Sequence, residues 1–232
     1  MAQAGNDSGA KAGGPAYVWD LPTRLFHWGF VGAVATSLWT SEFGPMEIHL
    51  ISGHVVLGLL IFRIVWGVMG GRHARFSSFV TGPAKVIEYA KRLKSEGAKP
   101  HVGHNPMGGW SVVAMLLVLL IQTVTGLFSN DDILTEGPLA GTVSKSTSDF
   151  LTYIHHLTSN AVYALIGLHL LAVVFYTVKG NAIIAAMING RSNDIDAGAP
   201  GVPSEDEAEG KLTTAIMIAA VAAGIAYAVL KA

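Results

Sequence analysis

The stretch from Asp149 to Val178, DFLTYIHHLTSNAVYALIGLHLLAVVFYTV, constrains this chain more than any other. It is almost uncharged and apolar on nearly every side. At about 1.5 Å of rise per residue it is long enough to cross a hydrocarbon core of roughly 30 Å. Yet it carries His155, His156 and His169. Ionisable side chains inside such a segment are costly and are read first as functional. Helix geometry sorts the three. His155 and His169 are separated by about 14 positions, which returns to within roughly 40° of one face about 21 Å further along the axis. His156 is turned about 220° from His169 and faces nearly the opposite way. One helix thus offers two imidazoles on one side at two depths of a bilayer, the pattern of two stacked metal or haem sites.

The remaining chain supplies partners for those rings. Of its 232 residues, 51% are hydrophobic, and several further runs approach the length of a span. The first covers roughly 25–40, after Pro22 and Arg24; the second 49–70; the third 107–129; the fourth is the histidine-bearing stretch; and 213–230 is long enough for a fifth. The expected fold is an all-α membrane protein: a four-helix transmembrane bundle holding two haems, with an additional C-terminal transmembrane helix. The expected organisation is a retained, disordered tail over 1–21, the bundle over 22–180, a flexible acidic linker over 181–210 and the extra helix over 211–232. Ala220, Gly224 and Ala228 offer that last helix a small-residue packing face.

Lysine and arginine set the orientation. Arg72, Arg75, Lys85, Lys91, Arg92, Lys94 and Lys99 crowd the segment between spans two and three, where PAKVIEYAKRLKSEG reads as a short surface helix. The loops SEFGPME and 130–148 are acidic. The basic side is therefore cytoplasmic, with the N-terminus inside and the acidic loops outside. No basic stripe suits nucleic acid, and no nucleotide-binding glycine loop is present.

Orientation assigns depths to the histidines. His54 and His155 each lie a few residues into a descending span and pair near the outer face. His27 lies near the inner face and pairs with the deeper His169. The sequence has no cysteine, which removes thiolate sites, iron–sulfur clusters and CxxCH haem attachment. Two imidazoles at each depth fall short of the three or four ligands zinc takes, but they suit bis-histidine haem iron. The bland alternative is hydrogen bonding between helices. It is outweighed by four such residues at matched depths.

Other residues carry weaker readings. Arg63 either neutralises a haem propionate or snorkels to headgroups. Arg72 and Arg75 read as topology determinants. His73, His101 and His104 read as solvated, and His156 faces away from the pairs. His49 is a minor candidate for proton exchange near the outer pair. Gln122, Thr123 and Thr125 are placed to bond across helices, and Trp28, Trp39, Trp66 and Trp110 fit an interfacial belt.

The segments TRLFHW, GHVVLG and IHHLTSNAVYALIGLH, with GRHARFSSFVTGP and HNPMGGW, resemble the bacterial cytochrome b561 family and the related b-type cytochrome subunit of nickel–iron hydrogenase. The resemblance covers roughly 18–189. It implies a four-helix bundle with two b haems, whose axial ligands map by motif onto His27, His54, His155 and His169. It further implies electron transfer between the membrane quinone pool and a redox partner, with superoxide oxidation by quinone in some members. The acidic outer loops would repel superoxide and suit a basic periplasmic protein such as a c-type cytochrome. The expected function is therefore quinone-linked electron relay across the membrane, ahead of superoxide oxidase. A histidine-lined metal-ion or proton transporter is the alternative of another class, opposed by the lack of intramembrane carboxylates.

Overall fold

In the computed structural model, residues 14–199 and 202–232 are described, and much of the expected tail (1–13) lies outside them. Two helical hairpins form the body. The first joins α1 (Leu21–Phe43) to α2 (Met46–Met69) through Gly44-Pro45. The second joins α5 (Pro106–Leu127) to α6 (Lys145–Val178) through a folded loop. Between them lie the short α3 (Phe76–Phe79) and the surface helix α4 (Pro83–Glu96). After α6 come α7 (Ile183–Asn189), α8 (Glu205–Ala208) and α9 (Leu212–Leu230).

Among the described residues, four helical segments are long and apolar enough to cross a membrane: Met46–Met69, Pro106–Leu127, Lys145–Val178 and Glu205–Leu230. The protein is thus an all-α, multi-span bundle. Helix α1, at 23 residues, has the length of a span, with Arg24, His27, Thr36, Ser37, Thr40, Ser41 and Glu42 diluting its apolar character. The 34-residue α6 extends about 51 Å, well beyond a hydrocarbon core of roughly 30 Å. Its N-terminus starts at Ser144, whose side chain accepts from the Thr147 N–H.

One end of the bundle, here the basic end, is built by residues 71–105 with the segments before α1 and after α6. The other, the acidic end, holds residues 129–144. Between them lies an aliphatic layer of Val34, Val56, Leu60, Leu119 and Val162. Helix α2 sits at the centre, packed against α1, α5 and α9, whereas α6 packs chiefly on α5. Gly58 of α2 lies against Ala222 and Ala226 of α9, where a Cβ would sit 3.4 Å from the Ala226 methyl. The buried small residues of α9 are therefore Ala215, Ala222 and Ala226. The expected stripe of Ala220, Gly224 and Ala228 is instead exposed.

The basic end is more ordered than the sequence suggests. Inside the stretch expected to be a tail, β1 (Pro15–Tyr17) pairs antiparallel with β2 (Arg191–Asp196), inside the expected linker. Ala16, Tyr17, Val18 and Trp19 are buried there. The linker's acids find local uses: Glu205 pairs with Arg191, and Ser204 and Glu207 form a capping box on α8. Trp66, expected at an interface, is fully enclosed. It packs beside Gly210, where a Cβ would collide with the indole.

Asp20 ties these pieces together. Its Oδ1 accepts from the Thr23 N–H at 2.9 Å, capping α1, and its Oδ2 accepts from the Gly71 N–H at 3.2 Å. Loss of a cap alone removes about 0.5–2 kcal/mol. Asp20→Ala is expected to lower the thermal midpoint followed by circular dichroism in detergent, and Asp20→Asn to fall between it and the parent. Equal midpoints for all three would remove Asp20 from this role.

Candidate functional site

The four expected site histidines come from three helices, His27 from α1, His54 from α2, and His155 and His169 from α6. His54 is buried on α2, and its Nδ1 lies 2.6 Å from the Leu50 carbonyl. That contact fixes the tautomer: Nδ1 carries the proton and donates, leaving the Nε2 lone pair free. Nε2 is enclosed and has no partner. His155 on α6 is oriented in the same way from the neighbouring helix, with Nδ1 2.8 Å from the Gln122 carbonyl of α5. Its Nε2 faces the Gln122 amide nitrogen at 3.1 Å, so a ligand on Nε2 needs that amide turned aside. Gln122 is the α5 polar residue that bonds across helices, reaching both His155 and the Thr158 hydroxyl. Thr123 and Thr125 instead bond back to Leu119 and Ile121 of their own helix.

Gly126 makes room for the His155 ring, since a Cβ there would lie 2.8 Å from its Cε1. His54 and His155 line one cavity of about 270 Å³, bounded by α1, α2, α5, α6 and the loop after α5. His49 and the exposed His156 line it too. His49 is anchored through Nδ1 at 2.9 Å from the Ser37 carbonyl, and its ring stands edge-on to His155 at 6.2 Å. A separate open groove of about 450 Å³ between α2, α3 and α5, lined by residues such as Ile64, Phe76 and Leu117, presents no ligating side chain.

His27 and His169 lie at the basic end on α1 and α6, two helices that make no extended contact. Both rings are half-buried and lie within electrostatic range of each other. The Nδ1 of His27 is enclosed without a partner. The structure therefore brings His54 and His155 to one cavity and His27 towards His169, with the aliphatic layer between the two levels. Among the described residues, no three His, Asp or Glu side chains gather as a metal-ion site.

Two histidines read as solvated, His73 and His104, turn out enclosed, and Arg63 is buried. His104 packs edge-on to Trp19 at 4.7 Å and against Phe79 at 4.6 Å. Burial, with Arg63 nearby, pushes its pKa down to about 3, so the ring is neutral at pH 7. The His73 Nε2 is enclosed, and burial lowers its pKa as well. Arg63 neither snorkels nor reaches an acid: it is buried, donates to the Ala74 carbonyl at 3.1 Å and lies over Phe76 at 5.0 Å. The spacing of GRHARFSSF and HVGHN gave no period that reveals this interlocking. The available signal was the abundance of histidine beside aromatic residues in two adjacent loops.

A multi-span helical bundle in which imidazoles from separate helices line one cavity is a membrane protein with candidate nitrogen ligands in its interior. Comparison with known proteins makes that class specific. A family model for prokaryotic cytochrome b561 matches residues 18–190, and the chain belongs to that family. It is 27% identical over 213 residues to a protein of Rhizobium leguminosarum bv. viciae named "Probable Ni/Fe-hydrogenase B-type cytochrome subunit", covering 75% of this chain and 87% of that one. A Cupriavidus necator protein of the same name is 24% identical over 229 residues, covering 80% and 92%. No solved structure matches significantly. The protein is thus a membrane-embedded, multi-pass electron carrier of the b561 type, a family that implies haem b held by paired histidines.

The loop over the acidic-end cavity also titrates predictably. The Asp131 carboxylate accepts from the Thr135, Ile133 and Leu134 N–H groups at 2.8–2.9 Å, which hold its pKa down to about 2, from the usual 3.8. A depressed carboxylate pKa stabilises above the unfolded value and loses that effect as pH falls through the folded one. Hydrogen-exchange protection of Ile133–Thr135, corrected for intrinsic rate, is expected to fall between about pH 4 and about pH 2. In Asp131→Ala it should be low throughout. Undiminished protection in that variant would contradict this account of the loop.

Proposed function

We propose that the chain is a di-haem b-type cytochrome that relays electrons across the bacterial inner membrane between the quinone pool and a periplasmic redox protein. His54 and His155 would hold an outer haem, and His27 and His169 an inner one. Helix α1 is the fifth span, and the N-terminus is cytoplasmic. The single observation that carries the reading is the His54 ring, locked by Leu50 with an enclosed and unpartnered Nε2. A buried nitrogen left so costs about 1–3 kcal/mol unless a ligand takes it.

Bound haem would supply the redox chemistry. The chain's own residues do the rest. The Leu50 and Gln122 carbonyls accept from the Nδ1–H of His54 and His155, which fixes each ring and raises the basicity of its Nε2. Gly126 leaves space for the His155 ring, and Gln122 must rotate away from its Nε2. Val34, Leu60, Leu119 and Val162 exclude water between the two levels, which the α6 rise separates by about 21 Å. Asp131, Asp132 and Glu136 line the outer loop, favouring a basic partner such as a c-type cytochrome over the superoxide anion. The relatives' names, which make them subunits working with a hydrogenase, agree with a protein rather than a small molecule as partner.

The purified chain is expected to give a low-spin b-type difference spectrum at two haems per polypeptide. His54→Ala and His155→Ala should each leave one haem, and so should His27→Ala and His169→Ala. Gly126→Val is expected to behave like His155→Ala while leaving the inner haem intact. A colourless parent protein, or variants that keep both haems, would sink the assignment.

A further inference from the structure

Among the described residues, the side-chain polar atoms enclosed without a partner, His54 Nε2 apart, all belong to the basic end: Thr23 Oγ1, Arg24 Nε, His27 Nδ1, Trp66 Nε1, His73 Nε2, Thr81 Oγ1 and His104 Nδ1. Some of these can only donate, and each histidine nitrogen can. Buried donors without acceptors are rare in native proteins and call for an occupant. Phe79 organises the densest part of the set. The His104 ring lies 4.6 Å from Phe79, and the Arg63 guanidinium lies 5.9 Å from it. His73 packs on Gly103 of the His104 loop, where a Cβ would lie 3.1 Å from its Nδ1. Gly103 has φ +72°, a conformation that favours glycine and turns the loop tightly enough to bring His104 inward.

Arg63 has no ion pair among the described residues. Asp20 is near enough to be felt, but its oxygens are taken by Thr23 and Gly71. A buried guanidinium beside an unpartnered imidazole N–H is a site for a carboxylate. His104 packs edge-on to Trp19 at 4.7 Å, just ahead of α1, and so stands at the end of that helix that carries His27.

We propose that His104, backed by Arg63, binds a propionate carboxylate of the haem held by His27 and His169. The inference rests on the two-haem reading above. His104 donates through Nδ1–H and Arg63 supplies the positive charge, and both are positioning residues for that haem. Compensating a propionate charge stabilises the ferrous state against the ferric one, so removing either group lowers the midpoint potential of the inner haem alone.

The test is a spectroelectrochemical titration of the full chain, with the inner haem identified as the one missing from His27→Ala. His104→Ala should lower the reduced-to-oxidised ratio at the parent midpoint roughly tenfold, about 59 mV for one electron. His104→Gln, which can still donate, should restore most of it. Parent protein reconstituted with the propionate dimethyl ester of haem needs no mutation: its inner midpoint should respond to esterification, and that response should shrink in His104→Ala. An unchanged inner midpoint in His104→Ala, or an equal response to esterification in both proteins, overturns the proposal. A parent chain without two haems would instead overturn the reading beneath it.

Discussion

An imidazole nitrogen closed off from water must find a partner, and in a membrane interior that requirement is stricter than anywhere else. The bilayer supplies no solvent to satisfy a stray donor or acceptor, so each enclosed ring is either bonded by the chain or reserved for a ligand. His54 shows both halves of the rule in one side chain, with one nitrogen bonded to Leu50 and the other reserved. The rest of the architecture serves that placement. Helix α2 carries the ring at the centre of the molecule, with 39% of its apolar window buried against 6% for α6. That contrast makes α2 the scaffold and α6 a flanking helix whose histidines close the sites from one side.

The loose seating of α6 follows from the solvent. Lipid chains are as apolar as leucine, so burial gives two spans little reason to associate. Packing and polar contacts must do it instead. Around the acidic-end cavity the polar contacts include those of Gln122 with His155 and Thr158, of Asn130 with Ser148 and Thr152, and of Ser148 with the Phe128 carbonyl. At the basic end they are those of Tyr176 with Tyr89 at 3.0 Å and Asn105 at 3.1 Å. Tyr176 is seven residues beyond His169 and so lies within about 20° of the same helical face. The groups that hold α6 to its neighbours thus lie on the side that presents the histidines, and the orientation of the rings is a consequence of the docking itself.

Much of this was legible in the sequence because it is periodic or punctuated. The spans follow from runs of apolar residues, the surface helix from Pro83 and Gly97, and the matched depths of the histidines from a rise that every helix shares. What was hidden depends on contacts between distant segments. Nothing local to Pro15–Tyr17 announces a strand whose partner lies near residue 191. Trp66 looks like an interfacial tryptophan until Gly210 is brought against it. His104 and His73 sit in a basic loop that reads as solvated, and only the meeting of 71–79 with 101–105 encloses them. The small-residue stripe of α9 failed for a related reason. Two such stripes exist, and the position of Gly58 on the facing helix, not the sequence of α9, selects between them.

The two ends of the bundle differ in what they offer a charged ligand. At the acidic end Lys145 is engaged by Asp132 and Asp149, and the other charged groups of the outer loop are carboxylates. At the basic end Arg24, Arg63 and a set of unpartnered donors face inward. Adding an electron to iron is opposed by surrounding negative charge and favoured by surrounding donors and cations. A redox group at the basic end would therefore hold an added electron more readily than one at the acidic end.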